Sequence, residues 1–298
     1  MKKMLFILAT AVIPLFFSSC EKESGSGTLV LSITDAPVDS SDITGVYITI
    51  NEIQVHTSDG DWMVMESYEG PQTFNLLDLT RGETNLLGNL ELEGGNYTQI
   101  RFMLNAPELG TAKPENPGCY IEFTDGSTYP LFVPSGSESG FKGVGNFRVP
   151  VNGTVEITAD FDIRKSVHKT GSASPRYILR PVIRLVVDDQ AGAIRGNVTN
   201  IPDDTGIVVY AYEDGVYQPE EADEPADTTL NRFPNAVSSD MVDSIGVYHI
   251  AYLAAGNYTL VVTSFNESTL CEVLGIIENV TVESRKTTHQ HIDIDALN

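Results

Sequence analysis

Val155-Glu156-Ile157-Thr158-Ala159-Asp160-Phe161-Asp162-Ile163 is the stretch that decides the fold class. Apolar side chains fall at 155, 157, 159, 161 and 163, with polar ones between them. A period of two collects the apolar set on one face of a strand, whereas a helix would scatter it. The stretch therefore reads as a half-buried strand. Its other face carries Asp160 and Asp162, as surface acids or as partners of the nearby Arg164 and Lys165.

The same alternation runs through Leu29, Leu31 and Ile33, and again through Val46, Ile48 and Ile50. The second series resumes at Ile53 and Val55 with its parity reversed across Asn51 and Glu52. One extra residue there, a β-bulge, would return both pieces to one core face. Further strands are expected near Trp62–Met65, Tyr97–Leu104, Tyr120–Thr124, Thr128–Val133 and Tyr177–Val187. Helical periodicity is nearly absent, with Glu83–Gly88 reading as a single turn. Asp59-Gly60, Asp125-Gly126, Asn152-Gly153 and Asp214-Gly215 mark turns. Many short strands punctuated in this way predict an all-β chain built as two β-sandwich domains in tandem.

The division is expected at Asp188–Gly192, giving domains 28–188 and 189–298. Residues 189–298 hold 4 Lys/Arg against 18 Asp/Glu. Seven of those acids lie between Glu213 and Asp227, which reads as a mobile acidic loop with little to bury. A short repeat links the halves. Leu92-x-x-Gly95-Asn96-Tyr97-Thr98 recurs as Leu253-x-x-Gly256-Asn257-Tyr258-Thr259. It suggests a shared hairpin, with Gly permitting the turn and Tyr laying its ring on the core.

The first 19 residues have the three-part layout of an export signal. Lys2 and Lys3 precede an uncharged apolar run, Met4 to Phe17, then Ser18, Ser19 and Cys20. The run is too short to span a bilayer comfortably, which needs ~20 residues. The placement of Cys20 resembles a bacterial lipobox, although Phe17 stands where that motif usually has Leu. The resemblance implies cleavage before Cys20 and acylation of its thiol. Residues 20–27 then form the lipidated Cys and a flexible tether, Glu-Lys-Glu-Ser-Gly-Ser-Gly after the Cys. An acidic, Lys-containing stretch at this place resembles the tag that sends some Gram-negative lipoproteins to the outer face of the outer membrane.

Two further resemblances cover the body. Leu31-Ser32-Ile33-Thr34-Asp35-Ala36-Pro37, Gly95-x-Tyr97-x-Gln99-Ile100-Arg101, Val133-Pro134-Ser135-Gly136, Asp160-Phe161-Asp162 and Leu179-Arg180-Pro181-Val182-Ile183 resemble an uncharacterised lipoprotein domain of unknown function. That domain brings no chemistry with it. Gly192-x-Ile194-x-Gly196-x-Val198, Gly246-x-Tyr248, Leu253-x-x-Gly256-x-Tyr258 and Val280-x-Val282 resemble the carboxypeptidase regulatory-like, transthyretin-like sandwich, also grouped with carbohydrate-binding-like folds. The resemblance implies a spacer or a binding module.

No nucleophile elbow, P-loop, H-E-x-x-H or C-x-x-C occurs. The expectation is a non-enzymatic protein with no cofactor. A formal charge of −23 argues against nucleic acid as a partner, because phosphate contacts need Lys and Arg. Cys119 and Cys271 lie in different halves and are expected as free buried thiols.

Against the acidic background, Lys142 to Arg184 carries 8 Lys/Arg and 3 Asp/Glu. Arg164, Lys165 and Lys169 are its candidates for an anionic glycan, lipid headgroups or the acidic second half, unless the island never converges. Trp62, the only Trp, is either a sugar platform with Tyr68 or Tyr47, or a core residue. Asp35, Asp39 and Asp42 form a weak candidate for Ca²⁺, with an ordinary polar turn as the alternative. His289, His291, Asp293 and Asp295 share one parity and read as the solvated face of a last strand that buries Ile292 and Ile294.

These features imply a lipid-anchored cell-envelope binding or adhesion protein, whose partners are the membrane and a glycan or another surface protein. Two transthyretin-like domains behind a lipobox also resemble certain lipoprotein pilins, so an anchor or tip subunit of a fimbria-like assembly is the alternative. Such pilins are cut at a basic residue, and this chain has no Lys or Arg between Lys22 and Arg81. That speaks against a shaft subunit. An accessory subunit of a hydrolase system is the third reading.

Overall fold

The computed structural model describes residues 25–36, 42–57, 60–107, 118–134, 140–171, 176–225, 231–265 and 271–297. The export signal, Cys20, the rest of the tether before Gly25, and Asp39 lie outside these residues.

Among the described residues, thirteen strands make up the first half. They are β1 (Ser26–Ala36), β2 (Ile43–His56), β3 (Trp62–Val64), β4 (Gln72–Asn75), β5 (Asn85–Glu93), β6 (Gly95–Leu104), β7 (Tyr120–Phe123), β8 (Thr128–Phe132), β9 (Phe141–Val149), β10 (Thr154–Asp162), β11 (Val167–Thr170), β12 (Arg176–Leu179) and β13 (Ile183–Val187). They hydrogen-bond in the order β11-β12-β8-β7-β2-β6-β9-β13-β10-β1-β5, with β3 and β4 also paired to β2. Laid flat, eleven strands would span ~50 Å at the usual spacing. Yet Leu29, Ile48, Phe102, Ile121, Leu131, Ile157 and Leu185, drawn from across that order, share one buried cluster. The sheet therefore curls back over its own apolar face, as a sandwich does.

The bulge expected in β2 is present. Ile50 opposes Leu104, but Glu52 opposes Met103, leaving Asn51 as the extra residue. Val46, Ile48, Ile50, Ile53 and Val55 are all fully buried. The kink also lets β2 pair with β7 and β4 before it and with β6 and β3 after it.

The second half holds β14 (Ala191–Thr199), β15 (Gly206–Glu213), β16 (Ser238–Met241), β17 (Val247–Ala254), β18 (Gly256–Phe265), β19 (Cys271–Val282), β20 (Thr287–His289) and β21 (Ile292–Asp293). They form two four-stranded sheets, one around β14 and one ordered β16-β15-β18-β19. Ile194, Val209, Tyr248, Leu260 and Val262 fill the space between them. A 3-10 turn at Asp188–Gln190 joins the halves.

Several expectations need correction. Glu83–Gly88 is not a helical turn, since β5 begins at Asn85. The repeat is not a shared hairpin. β5 and β6 do not pair with each other, and neither do β17 and β18. In each copy the chain crosses from one partner strand to another, and the tyrosine holds the corner. Tyr97 Oη donates to Glu93 O and Tyr258 Oη to Ala254 O, both at 2.9 Å. Gly95 and Gly256 have no positive φ, and a Cβ at Gly95 would meet open space. The shared device is thus a buried ring whose hydroxyl closes back on the chain four residues earlier. The acidic loop is also partly organised. Glu221 accepts from Tyr212 Oη and from the Asn235 backbone N–H.

Candidate functional site

The apolar face of β10 lies in the core, as its periodicity implies. The surprise is the other face. Thr158, Asp160 and Asp162 are buried as well, because the second half packs against them. Charges enclosed in this way must be paired. Asp160 Oδ2 accepts from Arg184 Nη2 at 2.6 Å. Asp162 caps the four-residue helix α1 (Ile163–Ser166) through the Lys165 N–H, and its Oδ2 lies 3.5 Å from Arg164 Nη2 and 3.4 Å from Lys165 Nζ.

Arg164 and Lys165, whose expected partners were an anionic glycan, lipid headgroups or the acidic second half, meet the second half at this seam. The Arg164 side chain is 1% exposed. Its Nη1 donates to Phe233 O at 2.7 Å and to Arg232 O at 3.3 Å, and its Nη2 to Ala236 O at 3.4 Å. Lys165 Nζ donates to the same Ala236 carbonyl at 2.5 Å. Burial lowers the Lys165 ammonium from its ordinary pKa, and burial raises the Asp160 carboxyl against the opposing pull of Arg184. Of the three island candidates, only Lys169 stays exposed, on β11.

A second cation crosses the seam from the turn before β5. Arg81 adopts a left-handed backbone, φ 61°, a conformation that costs about 1–2 kcal/mol for a residue with a side chain. That turn aims its guanidinium into the second half. Nη1 meets Asp243 Oδ2 at 2.7 Å and Nε meets Asp240 Oδ2 at 3.2 Å. Nη2 donates to the carbonyls of Met241 and Val247 at 2.6 and 3.2 Å. Asp240 also accepts the His249 N–H at 2.7 Å. Burial pushes its carboxyl up to about 6, although the His249 N–H and Arg81 oppose the shift.

Between the two clamps, Thr34, Asp35, Asp160, Ser239, His249 and Tyr252 line a crevice with room for about one water molecule. Asp160 Oδ1 and Ser239 Oγ, which find no protein hydrogen-bond partner there, are the groups such a water would serve. The crevice is too small for a substrate. Asp35 also ties its own half together, accepting the Ile163 N–H at 3.2 Å, while Asp42 is exposed. Among the described residues no three His, Cys, Asp or Glu side chains gather, and Asp39, the third member of the Ca²⁺ candidate, lies outside them. His289, His291, Asp293 and Asp295 are exposed while Ile292 is buried, and His291 Nδ1 accepts the Asn197 N–H.

Trp62 is neither a core residue nor a partner of Tyr47 or Tyr68. Tyr68 is buried with its hydroxyl on Ile50 O, and Tyr47 stacks on Tyr120 at 4.4 Å. The companions of Trp62 are cations. The Arg101 guanidinium lies 3.8 Å above the ring centroid and Lys142 Nζ 5.7 Å from it, with the His56 ring edge-on at 4.8 Å. Sequence reasoning missed Arg101. The available signal was its parity, since Ile100 and Phe102 point inward and Arg101 must then point outward. The basic island as a whole does not converge. Lys142 goes to this outer face, Arg164, Lys165 and Arg184 go to the seam, and Lys169 lies on β11.

A family model described as "Domain of unknown function (DUF4382)" matches residues 26–181. No curated protein matches the sequence. Among solved structures, the Bacillus anthracis TIE protein is 10% identical, over 90% of this chain and 34% of that one, with a TM-score of 0.21. The chain thus spans about a third of that relative. The minor pilin GBS52 of Streptococcus agalactiae is 14% identical over 89% of this chain and 94% of its own, with a TM-score of 0.21. BcpA, the major pilin subunit of Bacillus cereus, is 9% identical over 90% and 99%, with a TM-score of 0.22.

Proposed function

Since the chain belongs to the DUF4382 family, whose description names no activity, we propose from its sequence and its geometry together that it is a lipid-anchored cell-envelope binding protein that performs no chemistry. In this reading Cys20 carries the anchor and the tether lifts the body from the outer membrane. The second half, through its resemblance to regulatory-like sandwiches, serves as spacer and support.

The observation that supports the non-enzymatic part of the reading is the seam. Asp160, Asp162, Asp240 and Arg164 are buried there, and Arg81 and Asp243 partly so. Each is committed to an ion pair or a carbonyl across or beside the boundary. Groups held in this way stiffen a body and leave its outer faces to recognise a partner.

The test begins with cell fractionation of the wild type and Cys20→Ser, with palmitate labelling and protease shaving of intact cells. The wild type is expected in the outer membrane, labelled and accessible to protease. Cys20→Ser is expected to lose both label and membrane attachment. A Cys20→Ser chain that keeps both would overturn the anchor. Turnover in a broad hydrolase screen that is abolished by a single Asp or His change would overturn the non-enzymatic reading.

A further inference from the structure

The outer face of β3-β2-β6-β9 holds an arrangement that folding alone does not account for. The register places Val64 beside Gln54, Gln54 beside Arg101, and Arg101 beside Lys142 in one row across four strands. Trp62 sits opposite His56 at the end of the same face. Arg101 and Lys142 are therefore direct cross-strand neighbours of like charge, a pairing that destabilises a sheet. The chain has 41 Asp/Glu against 18 Lys/Arg, yet among the described residues neither cation pairs with a carboxylate.

Arg101 is held but not saturated. Its Nη1 donates to Gln54 Oε1 at 3.3 Å, and the Gln54 amide in turn donates to Glu52 at 2.5 Å, which keeps that acid one residue away from the guanidinium. Its Nε–H is enclosed and has no hydrogen-bond partner, so it is the terminal nitrogens that face a ligand. The Trp62 ring holds the guanidinium by a cation–π contact, and its terminal N–H groups remain as the donors for a carboxylate or sulfate. Lys142 adds an exposed point charge beside it. The partly exposed Trp62 adds an apolar aromatic surface of the kind that packs on the C–H face of a sugar ring.

We propose that Trp62, Arg101 and Lys142 form a binding site for an acidic saccharide, a sugar bearing carboxylate or sulfate. The ligand's anion takes the Arg101 donors and relieves the Arg101–Lys142 repulsion, and its ring rests against Trp62. The proposal names a ligand class for the binding protein inferred above and rests on that reading. Envelope localisation is measured separately, so failure here leaves the anchor untouched.

Trp62 is the only tryptophan, so its fluorescence in the full-length protein reports this site alone. The protein is titrated with trigalacturonate, with a heparin tetrasaccharide, with neutral dextran, and with inorganic sulfate at matched ionic strength. At least one acidic sugar is expected to give a saturable change. That binding should weaken severalfold between ~0.05 and ~0.5 M NaCl, because exposed charges are screened. It should weaken at least tenfold in Arg101→Gln/Lys142→Gln, and by less in Lys142→Gln alone, which also serves if the double variant folds poorly. Melting curves verify that each variant is folded. An unchanged signal with both acidic sugars would overturn the site. So would equal responses to inorganic sulfate and sugar, or full affinity in folded Lys142→Gln and in the double variant.

Discussion

Arg81 Nη1 donates to Asp243 Oδ2 at 2.7 Å, so a turn of the first half is bonded to the loop between β16 and β17 of the second. The same guanidinium reaches Asp240, whose side chain is 2% exposed, and the Met241 and Val247 carbonyls. One residue in a left-handed turn thus satisfies two acids and two backbone acceptors across the seam.

Arg81→Met should destabilise the protein by about 3 kcal/mol, because it strands a buried carboxylate and leaves two carbonyls unpaired. Adding Asp240→Asn should recover part of the loss, since the stranded charge is then gone. Urea unfolding of the two single variants and the double variant measures the coupling. Equal midpoints for wild type and Arg81→Met would show that the clamp contributes nothing.

The buried Asp240 also predicts a pH dependence. Its carboxyl is at about 6 in the folded chain, against about 3.9 for an unfolded Asp. Between those values the folded state holds the proton and the unfolded state does not. Stability from this group therefore falls as pH rises from about 4 to about 6, by on the order of 2–3 kcal/mol, and is flat above. His249, packed against the same seam, is shifted downward by burial and acts in the opposite sense, losing stability as pH falls below its unfolded value. The difference between wild-type and Asp240→Asn stability curves isolates the Asp240 slope. A difference that does not vary over pH 4–6 would contradict it.

Deleting Asn51 should abolish cooperative folding. Without the bulge residue, the piece of β2 carrying Ile53 and Val55 slips by one and turns both away from the core. Each fully buried side chain of this kind contributes about 1.5–3 kcal/mol, and Ile53 and Val55 would be lost together with their neighbours' packing. Circular dichroism melting and amide exchange of the deletion variant give the answer. A sharp transition near the wild-type temperature would mean that the bulge is dispensable. Asn51→Ala, which keeps the count, should fold.

Much of the fold was legible because strand burial follows a local rule. A period of two identifies the core face of β1, β2 and β10, and a break in parity identifies the bulge at Asn51, since only one extra residue can reconcile Ile50 with Ile53. The repeat was visible, but its meaning was not, because pairing partners are non-local. Leu92–Thr98 and Leu253–Thr259 look like hairpins until the strands on either side are seen to pair elsewhere.

The candidate sites show the same division more sharply. The sequence by itself determined that Asp160 and Asp162 lie opposite the apolar stripe of β10, and that Trp62 begins a strand candidate. It could not determine whether that opposite face meets water or another part of the chain, because alternation records side, not surroundings. Only the packing of the second half onto β10 decided that Arg164 and Lys165 would be enclosed and bonded to the Phe233 and Ala236 carbonyls. Only the register of β3, β2, β6 and β9 brought Trp62, Arg101 and Lys142, up to 80 residues apart in the numbering, onto one outer face. The physical reason is range. Periodicity is set by neighbours two residues away along the strand, whereas charge pairing and burial are set by whichever surfaces the completed fold presses together.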